Sequence, residues 1–234
     1  MADGIYVTMC GAAARTEQLD AIADNLANAQ TPGFRASRPS FESFIATGGA
    51  PDKTYPASVG THVDLRAGPT TQTGNALDVV PDQGAFLAVQ TAGGTAYTRN
   101  GRLSLDASGQ LVQDGKPVLD RGGAAITIPS GATPQIQPDG TVTAGGAAVG
   151  RIATWHLAGP VDRLAPSLVA PAPGGRAEPV AAPLRSGELE TGNVAPLEGM
   201  VQLISAQRSF DASMQALQIY RGMDARGTDL GRVR

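Results

Sequence analysis

The chain has 234 residues, long for one typical domain and short for two, and ample to bury a core. Gly (30) and Pro (17) make up about a fifth of it, against 4% aromatic and 17% charged residues, so the chain is rich in turns and poor in large side chains. With 18 basic and 21 acidic residues the net charge is −3, which leaves no basic excess to neutralise a phosphate backbone, and no nucleic acid partner is expected.

One cysteine cannot form an internal disulfide, and two histidines leave little from which to build a zinc site. No apolar stretch approaches the ~20 residues that cross a bilayer, so no transmembrane segment is expected. Ile5 to Ala14 is fairly apolar, but a secretory signal needs a basic start and Asp3 stands there instead.

Residues 3 to 29 read as a helix. Ile5, Ala12, Leu19 and Leu26 recur every seven residues, with Met9, Ile22 and Ala23 beside them and Arg15, Glu17, Gln18, Asp20 and Asp24 on the remaining faces. Asp3 is a candidate cap at its start and Asn28 a left-handed cap at its end, followed by the turn Thr31-Pro32-Gly33. The apolar stripe is narrow and alanine-rich, closer to a coiled-coil seam than to a broad core-facing surface.

Residues 35 to 78 carry scattered Gly, Pro, Thr and Ser with little periodicity and read as an extended linker. From 80 to 155, short alternating runs separated by Gly93-Gly94, Asn100-Gly101, Ser108-Gly109, Asp114-Gly115 and Asp139-Gly140 read as a meander of β-hairpins. The Asp-Gly pairs are read as turns, because none continues into the carboxylate ladder of a calcium loop. Residues 159 to 187, rich in Pro, Ala and Gly, read as loose loops. A second helix is expected from about Val194 to Ala225, after the start signal Thr191-Gly192-Asn193. Met200, Leu203, Gln207, Phe210, Met214 and Leu217 alternate spacings of 3 and 4, the a/d pattern of a left-handed coiled coil. Such a seam wants a partner helix, and the amino-terminal helix is the strong candidate. The fold class expected is therefore α+β, with terminal coiled-coil-forming helices around a central, mainly antiparallel β-domain. The boundaries are 1–34 (helix and turn), 35–78 (linker), 79–187 (β-domain) and 188–234 (helix).

Enzyme chemistry finds little support. His62 and His156 sit beside no nucleophile motif, and the chain has no Gly-x-Ser-x-Gly, His-Glu-x-x-His, P-loop or dinucleotide fingerprint. Cys10 lacks a basic neighbour to activate it. Trp155 reads as a core anchor of the last strand. No catalytic residue, metal site or cofactor is expected.

The run from Asp24 to Phe34, Asp-Asn-Leu-Ala-Asn-Ala-Gln-Thr-Pro-Gly-Phe, resembles the amino-terminal signature of the bacterial flagellar rod and hook family, the axial proteins of the basal body. Three further stretches resemble the same family: Ala76 to Val80 with Tyr97 to Val112, Ile126 to Ala132 with Asp139 to Val142, and Gly187 to Ala212. Asp24, Ala85 and Gly192 depart from its usual pattern. Hook proteins carry larger inserts and the smallest rod proteins lack this β-domain, so the resemblance favours a rod subunit, proximal rather than distal.

The resemblance implies a non-enzymatic structural subunit of the rod, a drive shaft that polymerises through its terminal helices and transmits torque for motility. The partners it implies are copies of itself, other flagellar rod and hook proteins, and the flagellar type III export apparatus. The location implied is the periplasmic rod of the basal body, reached without a cleaved signal peptide. A secreted β-rich adhesin or binding module with helical arms is the alternative. The residues expected at the assembly seam are Leu19, Ile22, Leu26, Leu203, Phe210, Met214 and Leu217, with Asn25, Asn28, Pro32 and Gly33 setting the turn out of the first helix.

Overall fold

The structure, a computed structural model, describes residues 2–44 and 55–231. It is α+β. Two helices, α1 (Ala2–Ala27) and α2 (Pro196–Gly231), bracket eighteen short strands. These are β1 (Ser37–Phe44), β2 (Tyr55–Val63), β3 (Thr70–Gln72), β4 (Val79–Pro81), β5 (Phe86–Thr91), β6 (Gly94–Thr98), β7 (Leu103–Leu105), β8 (Leu111–Gln113) and β9 (Lys116–Pro117). They continue as β10 (Pro134–Ile136), β11 (Thr141–Ala144), β12 (Ala147–Arg151), β13 (Thr154–Ala158), β14 (Val161–Ala165), β15 (Leu168–Pro171), β16 (Arg176–Val180), β17 (Leu184–Ser186) and β18 (Glu188–Glu190).

The chain divides into two compact units. The helical unit takes residues 1–27, 37–62 and 195–234, so it holds α1, the β1–β2 pair and α2. The β-body takes 28–36 and 63–194. These limits differ from those expected from composition. The turn after α1 and the segment before α2 belong to the β-body because their backbone groups bond to it.

Within the β-body the largest sheet has the order β14-β15-β6-β5-β13-β16, with every described pairing antiparallel. Its alternation produces two apolar faces. Leu87, Val89 and Ala96 point into one cluster with Leu103, Leu111, Val118, Ile126 and Val142, while Phe86, Ala88 and Tyr97 join Leu119, Leu157 and Val169 on the other. Burial on both faces is why β5 reads as a continuous apolar run. Three-stranded sheets β7-β8-β9 and β10-β11-β12 flank it.

Several expectations are corrected here. The middle of the chain is not a simple meander, because β13 to β16 return from beyond residue 150 to complete the large sheet. Residues 37–44, 55–63 and 70–72 form strands where a linker was expected, and part of that linker, 45–54, lies outside the described residues. Residues 159–187, expected as loops, contain all of β14 to β17. β3, β15 and β17 pair with distant strands (β18, β6 and β4), while β1–β2 and β14–β15 pair along the chain, and the local pattern announces neither. Trp155 lies in β13, not in the last strand, and meets Tyr97 edge-on at 5.9 Å between ring centroids.

The turn glycines largely behave as read. Gly94, Gly109, Gly115 and Gly140 all take positive φ. Asp106, Asp120 and Asp139 spend their carboxylates on N–H groups of their own loops, as with Gly122 and Ala124 donating to Asp120 at 2.8 Å. The side-chain bond from Ser108 holds Asp106 below the ordinary carboxylate range, and the backbone N–H of Thr141 does the same for Asp139.

Asn100-Gly101 is different. Both residues are buried, and Gly101 is required by close approach, since a Cβ there would stand 1.6 Å from the Val79 carbonyl oxygen. Replacing Gly101 with Ala is expected to cost about 3 kcal/mol by overpacking. Gly93→Ala, whose new methyl group would meet nothing nearer than 4.0 Å, is expected to change stability by less than about 0.5 kcal/mol. Urea midpoints of the two variants check this contrast.

Candidate assembly site

The helical unit is built on the packing of α1 against α2. α2 begins at Pro196, whose missing N–H is no loss at a first helical position, and the first turn closes with Gly199 N–H donating to Ala195 O at 2.9 Å. The helix starts after Thr191-Gly192-Asn193, of which Thr191 and Asn193 are bonded within the β-body. Gln202 donates to Glu198 at 3.0 Å, a one-turn pair on the polar surface.

On α1, Ala12 and Ile22 are buried, and Leu19 and Leu26 are half-buried. The side chains of Asp3 and Ile5 lie outside the described residues. On α2 the shielded stripe runs Gly199, Leu203, Ala206, Phe210, Ser213 with Met214, and Leu217. Gly199, Ala206 and Leu217 are buried, and Leu203, Phe210 and Met214 are half-buried. The a/d reading had placed Met200 and Gln207 on this seam. Met200 is instead 51% exposed and Gln207 is exposed, their places taken by the smaller Gly199 and Ala206. A Cβ at Gly199 would stand 3.7 Å from Leu26 Cδ1, so small side chains set how near α1 comes.

A second apolar surface remains on α2. Leu197, Met200, Val201 and Ile204 are between 51% and 78% exposed. At about 3.6 residues per turn Leu197 and Ile204 fall opposite the shielded stripe, with Met200 and Val201 on either side of them, Val201 lining a groove with Arg15 and Gln18 of α1.

Of the residues expected to set the turn, Asn25 does its work inside the helical unit. Its side-chain amide donates to Ser37 O at 2.8 Å and accepts from Ser37 N–H at 2.7 Å, acting as one extra strand residue beside β1. Asn28 does not take the left-handed conformation expected of it. Its carbonyl accepts Thr31 N–H at 2.9 Å, and the positive φ (70°) falls at Gly33. Pro32 is half-buried within that turn.

The β-body holds a junction that the seam reading did not single out. Glu190 on β18 is 1% exposed, and its carboxylate lies between two buried guanidiniums, Arg35 and Arg99. Oε1 accepts from Arg35 Nη2 and from the Gly68 N–H (2.7 Å); Oε2 accepts from Arg99 Nη2 and from Arg99 Nε (2.7 Å). The Glu190 carbonyl accepts Gly33 N–H at 2.8 Å. Arg99 also donates to Ala85 O (2.6 Å) and Pro81 O (2.9 Å). Burial lowers the Arg35 pKa from its ordinary value; Glu190 opposes that shift and the Arg99 charge adds to it.

Around this pair the chain is stitched by short bonds. Asn193 accepts Ala36 N–H at 2.6 Å and donates to Asp64 O (2.8 Å) and Arg66 O (3.0 Å). Arg163 donates to Arg35 O and lies over the fully buried Phe34 ring at 4.5 Å. Gly33, Gly68 and Gly192 permit backbone contact: a Cβ would stand 2.2 Å from Asn100 N, 2.3 Å from Thr191 O and 2.6 Å from Ala29 O respectively.

Sequence reasoning missed Arg35, Arg99, Glu190 and Asn193 as a group. Three of them lie inside stretches already quoted as signatures, and buried pairing is the role those charged residues carry.

Paired terminal helices, and a β-body in which the segment leaving α1 is bonded to the segment entering α2, define an α+β subunit whose two chain ends form one structural system. Comparison with known proteins agrees. Residues 5–35 match the family described as flagella basal body rod protein, 83–144 the flagellar hook protein FlgE/F/G D1 domain, and 185–230 the flagellar basal body rod FlgEFG protein C-terminal. The chain is 33% identical to the flagellar basal-body rod protein FlgF of Mesorhizobium japonicum over 217 residues, covering 90% of each. It is 35% identical to FlgF of Escherichia coli over 237 residues, covering 93% of each, and 31% identical to FlgG of Bacillus subtilis over 250 residues, covering 93% and 94%. The chain belongs to the bacterial flagellar basal-body rod family, a family of structural rod components.

Replacing Asn193 by Ala strands the Ala36 N–H and the Asp64 and Arg66 carbonyls, with an expected cost of about 2 kcal/mol. Gly33→Ala adds a strained φ to a backbone clash and is expected to cost more, about 3 kcal/mol. Denaturant midpoints of the two variants measure both.

Proposed function

We propose that this chain is a basal-body rod subunit that polymerises through the outer surface of its helix pair and transmits torque as part of the shaft. The observation that carries this reading is the apolar strip Leu197, Met200, Val201 and Ile204 on α2, facing away from the stripe shielded within the subunit. The expected seam residues Leu19, Ile22, Leu26, Leu203, Phe210, Met214 and Leu217 then hold the subunit's own helices together, and the outer strip meets neighbours. A contact that does not close on itself propagates as a filament. Stiffness follows, because sliding one subunit past another would expose apolar surface at ~25 cal/mol per Å².

The partners proposed are copies of itself and other rod and hook proteins, in keeping with the names of its relatives. Delivery through the flagellar export apparatus to the periplasmic part of the basal body, without a cleaved signal, is the route this role requires. A catalytic role is not proposed.

Leu197→Asp with Ile204→Asp places two charges on the outer strip without touching the shielded one. Purified protein is expected to keep its helical circular dichroism and thermal midpoint, while cells carrying only this variant lose motility and lack rods beyond the point of incorporation by electron microscopy. Swimming cells with complete rods would show that the strip is not an assembly surface.

A further inference from the structure

Glu190 connects three stretches of chain that are far from it in sequence, and the two guanidiniums it holds are not equally held by anything else. Arg99 keeps two further acceptors, the carbonyls of Ala85 and Pro81, both in the β-body around β4 and β5. Apart from Glu190, Arg35 donates only to the carbonyl of its own neighbour Phe34 at 3.1 Å, its buried Nε has no hydrogen-bond partner, and the Asp64 charge acts on it more weakly than Glu190 does. Among the described residues, Glu190 is the one carboxylate hydrogen-bonded to both. Without it, two cations would face each other in a site where each is about 2–3% exposed.

We propose that Glu190 is a one-sided charge latch: the junction closes only when β18 brings this carboxylate in, and without it the segment 28–36 leaves the β-body while Arg99 stays. Repulsion between the two guanidiniums drives the opening, and the difference in their remaining acceptors decides which one moves. Arg35 carries with it Gly33, whose N–H is bonded to the Glu190 carbonyl, and Ala36, whose carbonyl accepts Asp64 N–H at 2.8 Å. Leu111, Val118 and Leu119, whose N–H groups donate to Ile126 O, Leu111 O and Ala88 O, share no bond with the latch. The bonds from Arg163 to Arg35 O and from Asp64 N–H to Ala36 O do not offset the stranded charge, so the segment that leads out of α1 is held in place only once the segment that leads into α2 has arrived.

Residue-resolved amide hydrogen exchange on the full chain tests this. In Glu190→Gln, the amides of Gly33, Phe34 and Asp64 are expected to exchange roughly 100-fold faster, while those of Leu111, Val118 and Leu119 change by less than about threefold. Adding Arg35→Met to Glu190→Gln removes the stranded cation and is expected to restore about tenfold or more of the lost protection. Unchanged exchange at Gly33, Phe34 and Asp64 in Glu190→Gln overturns the latch. So does an equal loss at both sets of amides, complete unfolding included, because the carboxylate would then be one more core residue. A double variant that recovers nothing overturns the repulsion on which the latch depends.

Discussion

A carboxylate removed from water has to be paired, and one that meets two guanidiniums at once must have every surrounding segment in place. That constraint at Glu190 organises the β-body. Its two oxygens and its carbonyl take hydrogen bonds from Gly33, Arg35, Gly68 and Arg99. The alternative, an unpaired buried charge, costs about 3–5 kcal/mol when a partner is removed, a large part of the stability of an ordinary domain. The glycines at 33, 68 and 192 belong to the same constraint. They let backbone reach backbone around the pair, where any side chain would hold the segments apart.

The helical unit follows a different logic, non-directional and spread over a long contact. Small residues on α2, Gly199 and Ala206, form part of the stripe shielded within the subunit, while Met200, Val201 and Ile204 are left outside. One helix thereby has two apolar surfaces of unlike character, a close-fitting inner one and a bulky outer one. The inner surface is used within the subunit, and the outer one is what the proposed assembly role draws on. The charged junction, by contrast, lies wholly within the β-body, where it fixes residues 28–36 to β18.

Much of the architecture was legible in local pattern. The heptad spacing of Ala12, Leu19 and Leu26 and the 3-4 spacing from Leu203 to Leu217 identified the two helices, and turn dipeptides located most hairpins. Both signals depend on neighbours a few residues away, so the chain displays them directly. The β1–β2 pair and β14 to β17 were not legible, because β15 and β17 complete their pairing with β6 and β4 far along the chain and the scattered Pro and Gly break the apolar alternation by which a strand is read. Trp155 was read as a core anchor of the last strand; it is half-buried, packed against the cluster of Phe86, Tyr97 and Leu157 from β13 of the large sheet. Asn28 shows the limit of cap rules. An Asn after a helix can take positive φ, but here the turn takes its left-handed step five residues later, at Gly33.

By itself the sequence determined the α+β class, the two helices, the family signatures and the lack of any recognised catalytic motif, since each is written in composition or short-range spacing. Only the tertiary structure decided which face of α2 is shielded, because a 3-4 repeat fits Met200 and Gln207 as well as Gly199 and Ala206 until the partner's distance is known. Only it could join Arg35, Arg99 and Glu190, which stand up to 155 residues apart. In sequence each is one charged residue among many. Their pairing exists only where folding excludes water, and that exclusion is a property of the whole body and not of any segment.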